Sequence, residues 1–492
     1  MTLIKRTKSL CPVCGKLLDA EITEEDDAIW ISRTCPEHGY AKTLYWSDAK
    51  MYQRFDRYDR IGRGVENPNV EGQGECTTAN CGLCSNHKSG TLLANIDVTN
   101  RCNLKCEFCF ANAKACGYIY EPTFDEITSM LTLLRVEKPV PCPAVQFSGG
   151  EPTMRDDLVD IIKKARELGF NQVQIASNGV KLAQNPDLAK ELRAAGLSTV
   201  YLHFDGISKE TNPLLEKTSI PAIENCRKVG LGIVLVPTII RGKNDQEIGD
   251  IVKFAAKNVD IIRGINFQPV AFTGAAKEDD VIRERVTVPD ITRSIEEQTG
   301  GQIHSADFYP IPSVMAICDL IEAYTEKPQI MFCAHPHCGA ATYGFVNDDG
   351  SLVPITRFVD VDKFLAAAEK MAEKFKTSGK TGKYLAMTVG LGKMNKAVSK
   401  EEVEGIKIDL KKLIYDALVK HDYESIGKFH ENALFIGTMH FMDAFNYDTD
   451  RVSRCCIHYT TPDGKLIPFC TYNSGPTYRE EVWRRGAKPL SE

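Results

Sequence analysis

The tightest constraint on this chain is the run TNRCNLKCEFCF, Thr99 to Phe110, in which Cys102, Cys106 and Cys109 stand as C-x3-C-x2-C. Thiolates are the soft ligands that iron–sulfur clusters take. Three of them on one loop can hold three irons of a 4Fe-4S cube and leave the fourth open. An open iron can bind and reduce a small molecule, whereas a fourth cysteine would make the cluster an electron carrier. A zinc knot or a ferredoxin loop is the other reading of the bare spacing.

The rest of the cysteine content points the same way. The chain has 492 residues, too many for one core, and eighteen cysteines, which in a reducing compartment mean metal rather than disulfides. A formal net charge of -6 disfavours an electrostatic nucleic-acid binder. The most apolar stretches, such as LGIVLVPTII, are about half a membrane span long, and no leader-like segment opens the chain, so a cytoplasmic protein is expected.

Residues 1–50 carry CPVCG and CPEHG on either side of a strand-like run. Cys11, Cys14, Cys35 and His38 then fit a rubredoxin- or zinc-ribbon-like knuckle around one tetrahedral ion, zinc or iron. Residues 51–90 hold a second thiol group, Cys76, Cys81 and Cys84 as C-x4-C-x2-C, one ligand short of a closed cube. Five thiols near the far end complete the arithmetic: Cys333 and Cys338, then Cys455, Cys456 and Cys470. Eight thiols suit two closed auxiliary 4Fe-4S clusters. With the open cluster, about twelve irons in cubes are expected, plus one mononuclear ion. Adjacent Cys455 and Cys456 rarely point the same way, so they are expected to serve different clusters, or one is free and Cys318 replaces it. Each late thiol group leads into a D-D-G or P-D-G turn between alternating apolar runs, which predicts two β-hairpins.

Between residues 91 and 300 short apolar strands (LLANIDV, AVQF, QVQIA, TVYLHF, GIVLVP, GINFQPV) alternate with amphipathic helices, which predicts an α/β parallel sheet. Thr123 and Glu126 spell a capping box, and Leu158, Ile161, Ile162, Ala165 and Leu168 keep helical period up to Gly169. Polar residues fall at the C-terminal strand ends, where a barrel carries its chemistry. The triad follows the first strand. Gly149, Gly150 and Glu151 follow the second, with the carboxylate offered to an ammonium; Ser177 and Asn178 end the third and suit ribose hydroxyls. Asp205 ends the fourth, with His203 as a packed neighbour, and Gln268 ends the sixth. Residues 301–492 are expected to mix helices with the two hairpins, and the apolar run ENALFIGTMHFMDAF is read as a core helix.

Triad and strand ends together resemble the radical S-adenosylmethionine (SAM) superfamily, in which Phe108 matches the usual aromatic before the last cysteine. The resemblance implies a partial (β/α)6 TIM barrel, a cluster whose open iron chelates SAM, and a 5'-deoxyadenosyl radical aimed by the protein. It implies SAM contacts from Phe108, Gly149, Gly150, Glu151, Ser177, Asn178, Asp205 and Gln268, and an auxiliary SPASM-like iron–sulfur region at the C-terminal end. The runs CGLCSNHKSGTLLANIDVTNRCNLKCEFCFANA, FIGTMHFMDAFNYD, RCCIHY and IPFCTYNSGP further resemble the archaeal tetraether lipid synthases. That likeness implies a transferase of lipid biosynthesis joining terminal methyl carbons of two phytanyl chains of an isoprenoid ether lipid, with peripheral membrane contact and an electron donor such as ferredoxin or flavodoxin. Two other expectations stand beside it: radical SAM methylation of 7,8-dihydro-6-hydroxymethylpterin, and an iron–sulfur electron carrier. A long apolar tunnel would favour the lipid and a small polar cleft the pterin.

Overall fold

The computed structural model describes residues 1–70, 81–106, 109, 117–273, 278–398, 433–474 and 478–488. Its first four strands, β1 (Thr2–Leu10), β2 (Leu17–Glu25), β3 (Ala28–Cys35) and β4 (Gly39–Trp46), pair in sequence order as an antiparallel meander. Strict alternation in β3 puts Ile29 and Ile31 inside and leaves Ala28, Trp30 and Ser32 partly open, the period-two signature of a half-buried sheet. The turns after β1 and β3 therefore emerge at the same end. Each needs a glycine with positive φ, Gly15 at 69° and Gly39 at 77°. Helix α1 (Ala49–Asp56), capped by Asp48 accepting from the Met51 amide, leads out of the ribbon.

A parallel sheet follows, of β5 (Leu93–Thr99), β7 (Ala144–Gly149), β8 (Gln172–Ser177), β9 (Thr199–His203), β10 (Gly232–Val236), β11 (Thr238–Ile239) and β12 (Ile262–Pro269), while the short β6 (Ile119–Tyr120) pairs antiparallel with the late Ala487–Lys488 strand. The six strands expected from the sequence are β5, β7, β8, β9, β10 and β12, hydrogen-bonded side by side and all parallel. Helix α2 (Phe124–Arg135) opens on the Thr123/Glu126 capping box, and α3 (Leu158–Glu167) buries the apolar stripe read from its period. Ile96, Val145, Phe147, Val173, Ile175, Val200 and Leu202 join those helices in one core. Each such side chain, once wholly buried, contributes about 2 kcal/mol of hydrophobic stabilisation.

The late region adds β13 (Tyr309–Pro310), β14 (Gly339–Val346), β15 (Leu352–Pro354), β16 (Ala433–Met439), β17 (Ile457–Thr460), β18 (Leu466–Pro468) and β19 (Ala487–Lys488). β14–β15 and β17–β18 are the two expected hairpins. β16 corrects the sequence reading: ALFIGTM is a strand, parallel to β12 with Gly264 opposite Phe435, not a core helix. A continuous apolar run carries no period to separate the two states, and Gly437 and Thr438 weaken a helix there. On the other flank β17 runs parallel to β5, with Ile457 opposite Leu93. Eight parallel strands, β17-β5-β7-β8-β9-β10-β12-β16, thus stand where six were expected, with antiparallel β14 and β18 at the margins. No described helix is long and apolar enough to cross a membrane. The stretch 401–421, also expected to be helical, lies outside the described residues.

Candidate active site and metal centres

The cysteine loop leaves the C-terminal end of β5 and is clamped from below by the turn after β7. The Gly150 amide donates to Thr99 O at 2.7 Å and the Glu151 amide to Arg101 O at 2.8 Å. A Cβ on Gly149, where φ is 126°, would lie 2.0 Å from Thr99 O; on Gly150 it would lie 2.4 Å from Arg101 O. The two glycines therefore serve a close approach, but the backbone approached is that of the cysteine loop. Cys106 and Cys109 are exposed and Cys102 is partly buried. The Cys102 sulfur receives the Leu104 amide at 3.5 Å and the Asn178 side-chain amide at 3.9 Å. N–H groups aimed at a sulfur are what a cluster-bound thiolate takes up, so the triad fits a 4Fe-4S cube with one corner unliganded by this loop. Phe108 and Cys76 lie outside the described residues.

Glu151 is wholly buried. Its carboxylate accepts from the Thr153 amide at 3.1 Å and hydroxyl at 2.6 Å, from the Ser177 hydroxyl at 2.9 Å and from the Asn178 amide at 2.7 Å. Burial raises its pKa and these bonds pull it back, with burial prevailing. The group braces the β7 turn against the end of β8, which corrects the picture of an open carboxylate waiting for an ammonium. Ser177 is likewise engaged, while the Asn178 side chain reaches into the cysteine loop and donates to Asn103 Oδ1 at 2.8 Å.

Alternation decides what faces the barrel interior. In β9, Val200 and Leu202 pack on the helices, so Thr199, Tyr201 and His203 point inward. The same logic turns Asn95, Asp97, Gln146, Ser148 and Gln174 inward. Their amides form a chain, Gln174 Nε2 to Gln146 Oε1 and Gln146 Nε2 to Asn95 Oδ1, each 2.8 Å. Opposite them Tyr343 and Phe435 meet edge to face at 5.5 Å, with Phe435 lying where a Cβ on Gly264 or Gly437 would stand. Asp205 is held by the Thr238 amide at 2.9 Å and by His203 Nε2 at 2.8 Å, so both its oxygens have partners. Burial opposes protonation of His203, but the charge and hydrogen bond of Asp205 outweigh it and raise the pKa. His203 was expected only as a packed neighbour of Asp205; its place two residues from Tyr201 on an alternating strand is the signal that puts it inside. Gln268 sits half-buried at the end of β12, its amide donating to Pro237 O.

A second unread feature closes the interior beside β5. Asp97 accepts from Tyr472 OH at 3.1 Å and Trp483 Nε1 at 3.2 Å and pairs with Arg479 at 3.1 Å, all of them buried. No motif links these positions in sequence, so nothing there announced them.

In the ribbon, Cys11, Cys14, Cys35 and His38 bring their ligand atoms within 4.8 Å of one another. His38 Nδ1 lies 3.5 Å from Cys35 Sγ and 3.7 Å from Cys11 Sγ, and Cys14 and Cys35 are 3.9 Å apart. The donor set fits one tetrahedral ion, His38 included.

Among the late thiols, Cys333 and Cys456 lie close enough to shift each other's pKa and share an apolar cluster, against which Cys338 also packs. Cys338, Cys455 and Cys470 are close enough for charge on one to raise the pKa of another. Cys81 joins Cys470 in a further apolar cluster, and Thr471 donates to its sulfur at 3.6 Å. Arg451, buried, points Nε at the Cys338 sulfur, 3.5 Å away.

Residues 96–255 match the radical SAM superfamily, and residues 3–47 match the HMPTM N-terminal zinc ribbon domain. The chain is 48% identical to a 7,8-dihydro-6-hydroxymethylpterin dimethyltransferase of Methanocaldococcus jannaschii, over 99% of this chain and 96% of that protein. It is 30% identical to a probable GTP 3',8-cyclase of Methanothermobacter marburgensis, over 55% of this chain and 85% of that one. A solved radical SAM methyltransferase from Sphaerobacter thermophilus overlaps 62% of this chain and 75% of its own, at 12% identity and a TM-score of 0.30. The chain is a radical SAM enzyme with an N-terminal zinc ribbon, and it belongs to the family of the Methanocaldococcus jannaschii 7,8-dihydro-6-hydroxymethylpterin dimethyltransferase.

Proposed function

We propose that this enzyme methylates a reduced pterin of the 7,8-dihydro-6-hydroxymethylpterin type. The observation that carries the reading is the barrel interior, whose inward face is amide and hydroxyl on one side and aromatic on the other. A fused heterocycle with an amide edge and a flat face matches such a lining better than a saturated chain, which can neither donate to it nor accept from it. Full-length similarity to a relative that bears this substrate in its name supports it.

Cys102, Cys106 and Cys109 would hold the open cluster. When bound, cluster and SAM supply one-electron cleavage of a sulfonium and abstraction of a hydrogen atom. The protein's own part is placement. Gly149 and Gly150 let the β7 turn lie against the cysteine loop, Glu151 fixes that turn to β8, and Asn178 places its side-chain amide beside Cys102. The Glu151 oxygens are already engaged, so the backbone of the turn would be left to hold the ammonium of SAM. Cys81, Cys338, Cys455 and Cys470 would hold one auxiliary cluster, leaving Cys76, Cys84, Cys333 and Cys456 for a second. A low-potential donor such as ferredoxin or flavodoxin supplies the electron.

A second reading, joining of phytanyl chain ends in an isoprenoid ether lipid, is favoured by one feature. Beyond the strand ends Ile240, Val270, Phe272 and Val281 form a buried apolar cluster against Phe445. Anaerobic incubation with SAM, reductant and either substrate separates the two. Methylated pterin with unchanged lipid is expected; coupled lipid with unchanged pterin would transfer the assignment.

A further inference from the structure

Alternation along β9 directs Tyr201 and His203 toward the barrel interior, and 42% of the His203 side chain is open. The imidazole is not free to turn: Nε2 is tied to Asp205, and Asp205 is itself fixed by the Thr238 amide and by Asn244, from the loop after β11, whose side chain donates to Asp205 O at 2.8 Å. An Nε2–H given to Asp205 leaves Nδ1 as the atom available to a ligand. Tyr343 lies near Tyr201, and its ring meets Phe435 edge to face at 5.5 Å. A fixed imidazole in an interior that also carries these aromatic rings is suited to one class of ligand, a flat ring with nitrogen or amide hydrogen-bonding groups at its edge.

We propose that His203 is the hydrogen-bonding anchor of the substrate ring in the barrel interior, with Asp205 as the positioning residue that sets its orientation. This rests on the pterin reading and adds to it the site and the group that reads the ring. It also removes Asp205 from direct contact with SAM.

The test is binding of 7,8-dihydro-6-hydroxymethylpterin to the anaerobic, cluster-loaded, SAM-bound protein, followed by titration calorimetry, for the native chain and for His203→Ala, His203→Gln and Asp205→Asn. The side-chain amide of Gln can replace the hydrogen bond and guards against a merely misfolded Ala variant. The expected result is a loss of affinity of about tenfold or more in His203→Ala, partial recovery in His203→Gln, and a smaller loss in Asp205→Asn. SAM affinity, read from the cluster's EPR spectrum, should not change. Binding by the native chain with equal affinity in His203→Ala overturns the anchor while leaving the pterin reading standing. Loss of SAM affinity in His203→Ala with pterin affinity kept overturns it as well. Failure of the native chain to bind the pterin overturns the substrate reading itself and the anchor with it.

Discussion

Single residues fix the geometry of the cysteine loop. Gly150→Ala would push a methyl group to within 2.6 Å of two backbone oxygens, Asn100 O and Arg101 O, neither of which can move without moving the thiols. The expected cost is about 1–3 kcal/mol locally. It should be read as loss of the SAM-binding cluster: iron content falls by about one cube while the ribbon ion is retained. Retention of full iron would show that the loop can relax. His440 makes a different prediction. It is buried beside Trp46 with Nε2 against the Asn446 side-chain amide, and burial, then Arg451 and Arg285, hold its pKa well below the usual value. Below the ordinary histidine pKa of about 6.5 the unfolded chain binds a proton that the folded chain refuses. Stability therefore falls as pH drops through that value, by up to about 1.4 kcal/mol per pH unit. His440→Gln should flatten the slope of the unfolding midpoint between about pH 6.5 and 5; an unchanged slope would assign it to other groups.

At the scale of elements, the ribbon is bolted to the auxiliary-thiol region rather than tethered to it. Asp448, wholly buried, accepts from Thr7 at 2.6 Å and Tyr45 at 2.8 Å and lies 3.5 Å from Lys5. Burial would raise its pKa, but Lys5 and these donors hold it below the usual carboxylate range. Asp448→Ala leaves Lys5, Thr7 and Tyr45 without that partner, and a loss of about 3 kcal/mol in chemical unfolding is expected. A change under about 0.5 kcal/mol would mean that Asp450, which also pairs with Lys5, suffices. Strands β5, β7, β8, β9, β10 and β12 were readable because each is a short apolar run bounded by turn residues, with helices of clear period between them. β16 was not, because Ala433 to Met439 has no polar interruption, and its partner β12 is far away in sequence. β17 was read as half of a hairpin, which it is; that it also pairs with β5 is a tertiary fact that local pattern does not encode.

Across the whole molecule, the candidate site was legible where chemistry demands spacing and obscure where it depends on packing. The triad and the ribbon ligands follow from ligand geometry along the chain. The true partners of Glu151 and Asp205, the inward turn of His203 and the Asp97–Arg479 closure follow from which strands become neighbours, and no motif carries that. The same limit explains why the sequence favoured a lipid over the pterin that the 48% identical relative bears in its name: thiol spacing serves either substrate. The account stands on the barrel interior receiving a pterin ring next to an open iron. The most direct measurement is anaerobic turnover of the reconstituted enzyme with SAM, a strong reductant and 7,8-dihydro-6-hydroxymethylpterin, with 5'-deoxyadenosine and the pterin's mass followed together. The account predicts deoxyadenosine formed in step with a pterin carrying added methyl groups. Deoxyadenosine formed while the pterin is recovered unmodified would contradict it.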